Sequence, residues 1–450
     1  MPVAPKSFIQ PVSCAIVRGV STPRHPLQNI LWLVGERAAR AIVTATVLGL
    51  VARHLEPAGF GRLNFAIAIA VIGAALATLG LEGVVINELI RRPNQAGAVL
   101  GTAFRLRLAA GLVAAGLVAL GVALWPGNLP ADARLVLVIA LSLLFQPVEV
   151  VDLWFQRHLD SRRTVAVRLV AVLAGSALKL WLVARNAPLP AFAWALVADA
   201  GFIALGLAWA AWRSPYPSGP WSWNAEIARV LWRRGGPLAV STLAVAFAMR
   251  LDQLLVRHWS GEAGAGIYFA ATRLTEVALF VGTTLTLSLF PALAASHGRS
   301  PAEYQARLQA MFDALSALGC TFIGPWFIGL LYGPAYAGAA PILAVQGWAC
   351  LFALSAGARW QFILLSAPTI LNLAAALLHI AVLVAIGWWL VPRHGTIGAA
   401  LAWLAAVVTS GYVTSFLFPP LRACAAAQTR GLLIPVAPAR WRGLLAQFRA

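Results

Sequence analysis

Residues 29–55 read "NILWLVGERAARAIVTATVLGLVARHL". The wholly apolar run inside this stretch, 41–52, is too short for a hydrocarbon core ~30 Å thick, which takes about 20 residues of helix. To cross, the helix must extend toward its N-terminal side, and that carries Glu36, Arg37 and Arg40 into the membrane. Charge at such depth is costly and marks a functional position by default. Glu36 and Arg40 stand four residues apart and can pair along a helix. Arg37, ~100° around the helix from Glu36, is left without a local partner.

The rest of the chain supports a membrane reading. Sixty per cent of the 450 residues are hydrophobic and 11% are charged, against about 25% charged in soluble domains. Mean hydropathy is +0.80. A soluble globule is excluded. The four cysteines (Cys14, Cys320, Cys350, Cys424) have no metal or redox spacing, and no disulfide framework is expected. The basic N-terminus lacks an apolar segment followed by a small-residue cleavage site, so no signal peptide is expected.

Apolar windows about 20 residues long fall near 30–52, 63–86, 102–124, 134–153, 165–184 and 190–212, then near 236–256, 266–290, 309–331, 339–365, 369–391 and 396–418. The expected fold is all-α and integral to the membrane, with about 12 transmembrane helices in two six-helix bundles around a central cavity. Helices 1–6 form an N-lobe (30–212) and helices 7–12 a C-lobe (236–418). A linker rich in Pro, Ser and Trp (213–235) joins them, and tails flank them at 1–29 and 419–450.

Most of the 34 basic residues lie on the side that holds both tails. The opposite side has only Arg53, Arg62, Arg134, Arg185, Arg257 and Arg393. This bias places both termini in the cytoplasm. The net charge of +19 is therefore mostly topology, and no nucleic-acid partner is expected. "VARHLEPAGFGRLNFA" (51–66) and "LVRHWSGEAGAGIYFA" (255–270) share Arg-His and Phe-Ala at one spacing. Each block joins the first and second helix of its half, which favours a parallel repeat about an axis along the membrane normal.

Further charges fall inside the spans: Lys179, Arg250, Arg273 and Arg359, with Asp199, Asp252 and Glu276. Charges facing lipid are disfavoured, so these should face a cavity or one another. A cationic cavity suits an anion, and bidentate Arg is the usual phosphate partner. The expected substrate contacts are Arg37, Arg40, Arg250, Arg273 and Arg359. Glu36, Asp199, Asp252 and Glu276 are the candidates for charge pairing or ion coupling. Trp125, Trp212, Trp259, Trp388 and Trp389 lie near span ends, where an interfacial belt accounts for them. No P-loop, metal-ligand cluster or nucleophile elbow is found, so neither an enzyme nor a metal cofactor is expected.

The N-terminal stretch resembles Wzx-type polysaccharide-repeat flippases of the multidrug/oligosaccharidyl-lipid/polysaccharide exporter superfamily. Their first loop commonly reads Ala-Arg-x-Leu-Gly-Pro-x-x-Phe-Gly. Here it is Ala52-Arg53-His54-Leu55-Glu56-Pro57-Ala58-Gly59-Phe60-Gly61, with Glu56 at the usual Gly. "LDQLLV" (251–256), "GIYFAATRL" (266–274), "LYGPAY" (331–336) and "GTIGAALA" (395–402) add to the similarity. The resemblance implies a bacterial inner-membrane transporter that moves an undecaprenyl-pyrophosphate-linked oligosaccharide outward by alternating access. O-antigen, capsule or exopolysaccharide synthesis is the implied setting, with other polysaccharide-assembly proteins as partners and proton or sodium coupling left open. A cation-coupled multidrug exporter and a lipid II flippase are the near alternatives. A membrane glycosyltransferase or polymerase ranks below them, because every outward loop is short.

Overall fold

The computed structural model describes residues 26–124, 131–158, 160–294, 316–366 and 370–418, with six positions beyond 420. Every regular element among them is helical. The first half contains α1 (Pro26–Thr78), α2 (Glu82–Arg91), α3 (Ala96–Ala123), α4 (Ala131–Ala140), α5 (Val150–Arg157), α6 (Ser161–Ala184) and α7 (Leu189–Trp212). The second half contains α8 (Ala225–Ala248), α9 (Leu251–Ala294), α10 (Gly324–Tyr332), α11 (Ala339–Ser366), α12 (Ile370–Val408) and α13 (Thr414–Leu417). A 3-10 segment, Leu141–Glu149, joins α4 to α5, and a π-helical turn, Thr409–Val413, joins α12 to α13. Seven helical stretches among the described residues are long and apolar enough to cross a membrane.

Three of the longest helices are broken. Glu56 in α1 (φ 56°), Gly261 in α9 (φ 68°) and Gly395 in α12 (φ 56°) leave the helical region. Each break follows an Arg-His dipeptide: Arg53-His54, Arg257-His258 and Arg393-His394. The chain folds back at these points. Val47 and Val51 share a cluster with Leu63, Ala66 and Ala70 across the first break. The Tyr268 hydroxyl donates to Asp252 across the second (2.7 Å). His379 Nδ1 meets the Ser410 hydroxyl across the third (3.1 Å). Each long helix thus supplies two antiparallel passes.

Two of the breaks pack against each other. A Cβ at Gly61 would overlap the Glu262 carbonyl, and one at Gly266 would overlap the Pro57 carbonyl. The approach is reciprocal, glycine of one half on a loop carbonyl of the other, and it joins the two blocks that look alike in sequence. Phe60 and Ala52 are buried there with Tyr268, Phe269, Tyr332 and Tyr336. The Tyr336 hydroxyl donates to the Ala52 carbonyl (2.8 Å), and the Arg53 guanidinium donates to the carbonyls of Gly329 and Leu330.

The halves also meet at the opposite end. Ile227 and Leu231 of α8 are buried with Val85 and Leu89 of α2 and Val99 and Leu100 of α3. Glu88, 3% exposed, takes Arg234 at 2.7 Å and Arg92 at 3.3 Å, and Arg92 reaches Glu226 at 2.9 Å. α8 begins inside the stretch expected to be linker. Asn224 caps it, its side-chain oxygen accepting from the N–H groups of Glu226 and Ile227, so the irregular connection is confined to 213–224.

Glu56 stands where the flippase loop usually has Gly, and its φ 56°, ψ 169° fall in a region essentially reserved for glycine, at a cost of about 1–3 kcal/mol. Pro57 keeps its predecessor out of the helical region, so the conformation is held. Glu56→Gly should therefore raise the unfolding midpoint of the detergent-solubilised protein by the equivalent of ~1 kcal/mol, after the entropic cost of Gly. Gly266→Ala should lower it. A neutral or destabilising Glu56→Gly would contradict the strained break.

Candidate functional site

The break between α8 and α9 sets the site. α8 ends at Ala248, and Met249 and Arg250 turn before α9 begins at Leu251. Arg250 is thereby aimed at the second pass of α9, where Arg273 and Glu276 are one turn apart. Arg250 Nη1 lies 2.8 Å from Glu276 Oε1, and Arg273 Nη1 lies 2.7 Å from Glu276 Oε2. Two guanidiniums share one carboxylate, and Asp252 lies close enough to interact with Arg250. Arg273 Nη2 donates to Asn64 Oδ1 in the first half (3.3 Å), so the cluster spans the seam between the halves. Glu276 keeps 38% of its side chain exposed, against 14% for Arg250 and 22% for Arg273. Access to the cluster is therefore from the carboxylate side.

Asp252 lies on the next turn and is 2% exposed. Its Oδ2 accepts from Tyr268, while its Oδ1 is buried without a hydrogen-bond partner, as are both amide atoms of Gln253. Beside it, Gln346 of α11 donates to the Thr272 hydroxyl (3.1 Å) and accepts from that of Thr275 (3.0 Å). This polar seam ties α9 to α11. In the first half Asp199 of α7 pairs with Lys179 of α6, and Gly175 leaves room for its carboxylate.

Of the residues expected from sequence, Arg250, Arg273, Glu276 and Asp252 are thus gathered near one seam. Asp199 is held apart with Lys179. The backbones of Glu36, Arg37 and Arg40 lie in α1 and that of Arg359 in α11, but their side chains lie outside the described residues. Two polar positions escaped the sequence reading. Arg107 is 1% exposed with Nε and Nη2 buried and unpartnered. Glu88 had no evident role until α2 and α8 came together. An Arg two turns inside an apolar helix was the available signal for the first; no local pattern marks the second. Trp259 and Trp388 stack edge to face at 4.8 Å, and Trp388 and Trp389 are exposed, as an interfacial belt requires. No group of three metal-ligating side chains occurs among the described residues.

This architecture is shared with known transporters. The chain is similar to an inward-facing multidrug resistance MATE family transporter of the MOP superfamily (TM-score 0.66, 15% identity, 86% of this chain and 96% of that one). It is similar to a MOP superfamily transporter from Pyrococcus furiosus described as having a binding pocket of reversed polarity (TM-score 0.61, 14% identity, 90% and 97%). It is also similar to the lipid II flippase MurJ in an inward closed conformation (TM-score 0.61, 13% identity, 89% and 92%). At such identities the likeness concerns the fold alone. No curated protein matches the sequence. The sequence profile described as "Polysaccharide biosynthesis protein" matches residues 50–341, and the chain belongs to that family. Family and fold together define a multi-pass membrane protein of polysaccharide biosynthesis with the fold of these transporters.

The shared carboxylate makes a quantitative expectation. Glu276→Gln leaves two guanidiniums facing each other, and thermal unfolding in detergent should show a clear loss of stability. The loss should be smaller than the ~3–5 kcal/mol of a fully buried pair, because solvent screens a side chain exposed to this degree. Adding Arg273→Gln should recover part of it. A double variant that loses the sum of both single effects would show that the pair is uncoupled.

Proposed function

We propose that this protein flips an undecaprenyl-pyrophosphate-linked oligosaccharide from the cytoplasmic to the periplasmic leaflet of a bacterial inner membrane, by alternating access, in building O-antigen, capsule or exopolysaccharide. The observation that carries this reading is the Arg250–Glu276–Arg273 cluster at the seam of the halves. A pyrophosphate can displace the carboxylate from either guanidinium and gain bidentate, charge-assisted bonds. A carboxylate shared by both arginines in the resting state avoids burying two bare cations.

In this reading twelve helices form two lobes, 30–212 and 236–418, with both termini cytoplasmic. The face bearing the three breaks is periplasmic, and the reciprocal contact of Gly61 and Gly266 seals it while the cavity opens inward. Arg37 and Arg40 would line the cytoplasmic half of the path and Arg359 its C-lobe wall. Asp252, with one buried oxygen unpartnered, is the candidate carboxylate for proton or sodium coupling, with Glu276 responding to its state.

The test is leaflet exchange in proteoliposomes. Labelled undecaprenyl-pyrophosphate oligosaccharide should move with the wild type and slow sharply with Arg273→Gln at equal protein level, while a cationic dye should not be carried. Dye transport without glycolipid exchange would point instead to a multidrug exporter of the same fold. Exchange undiminished by Arg250→Gln together with Arg273→Gln would remove the cluster from the mechanism.

A further inference from the structure

The two-lobed arrangement has two seams between its halves, and they differ. At the first, the end of the first pass of α1 is tied to α10 and the turn that follows it through Arg53, Gly49 and Tyr336. At the second, the later pass of α1, with α3 and α4, faces α8 and the first pass of α9 across a cleft of about 920 Å³. This is at the upper end of the ~300–1,000 Å³ of small-molecule sites. Ile69, Ile72, Leu117, Val118 and Leu254 wall it, and the polar side chains Arg257, His258 and Glu262 stand at its break-face end.

We infer that this cleft receives the prenyl chain of the transported lipid, with its phosphate at Arg257 and His258. The inference rests on the flippase reading and adds the route of the tail. Three features favour a phosphate-bearing prenyl chain. First, an apolar tail gains nothing by leaving lipid for an equally apolar groove, so the rim must choose the occupant. Second, the rim offers a cation with an exchangeable partner. Arg257 Nη2 binds Glu262 Oε1 at 2.9 Å, its guanidinium lies 5.7 Å from the Phe65 ring centroid, and His258 is exposed beside it. A phosphate can take the place of Glu262 on this guanidinium and accept from the imidazole. Third, the rim and the arginine cluster are touched by neighbouring residues of one helix. Phe65, under Arg257, adjoins Asn64, which accepts from Arg273. A headgroup passing from the cluster to the break face moves from one arginine site to the other while its tail stays between the halves.

Two glycines allow a test that spares the fold. A Cβ at Gly121, which lines the cleft, or at Gly116, which does not, meets nothing within 4 Å. Gly121→Leu fills the cleft, and Gly116→Leu is its control. Full-length protein in nanodiscs would be labelled with a diazirine-bearing undecaprenyl pyrophosphate and, separately, with a diazirine phosphatidylglycerol at equal mole fraction. The labelled peptides would be mapped by mass spectrometry. The prenyl probe should label 65–76 and 114–122, lose that labelling in Gly121→Leu and Arg257→Gln, and keep it in Gly116→Leu. Labelling elsewhere, labelling indifferent to Gly121→Leu, or equal labelling by phosphatidylglycerol would each overturn the route. Wild-type glycolipid exchange in proteoliposomes separates the two ideas. Exchange without cleft labelling defeats the route and leaves the flippase reading standing, and absence of exchange defeats the reading itself.

Discussion

The close approach of two helix breaks constrains the rest of this molecule. Gly61 lies on the Glu262 carbonyl and Gly266 on the Pro57 carbonyl, so neither half can carry a side chain at the point where they touch. The constraint is reciprocal: each block sets a glycine against a loop carbonyl of the other. Backbone contact fixes the distance between the halves at the break face more firmly than side-chain packing could, since backbone cannot change rotamer. Small residues at such crossings are the usual way for membrane helices to come close where no hydrophobic driving force acts between them. Everything between this junction and the α2–α8 contact at the other end must then fit the space that remains. The arginine cluster and the apolar cleft both occupy that space.

The same junction accounts for the placement of charge. Arg250 and Arg273 lie in helices leading to and from the second break, and folding back at Gly261 brings both onto Glu276. Arg273 reaches Asn64 because the first break delivers the later pass of α1 to the same level. Charges far apart along an extended helix become neighbours through one glycine with positive φ. Pairing meets the cost of burial, because each guanidinium lies on a carboxylate oxygen.

Much of this was legible in the sequence, and the exceptions have physical causes. Apolar windows located the passes because a bilayer sets their length. The pairing of Arg273 with Glu276 follows from helical spacing. The likeness of 51–66 to 255–270 marked the joints, but that those joints touch each other is tertiary information no local pattern holds. The third Arg-His joint at 393–394 was readable and was passed over, because its neighbours do not repeat the other blocks. The polar and Trp-rich composition of 213–235 hid the first turns of α8, in which Ile227 and Leu231 are buried with residues of α2 and α3. The burial of Arg107 and Glu88 has no local signature, since burial depends on what packs over a residue. Glu56 adopts a backbone conformation that glycine would take without strain, which its identity alone does not reveal.

The central claim is that the break-face junction is the seal of an anion-triggered transport cycle. Spin labels at Ala58 and Ala263, both exposed at the joints, would measure it by pulsed electron resonance in nanodiscs. The account predicts one short distance in the resting protein. Undecaprenyl-pyrophosphate oligosaccharide should add a longer population, and Arg273→Gln should abolish it. A distance distribution indifferent to the glycolipid, or one that shifts equally in the Arg273→Gln variant, would contradict the account.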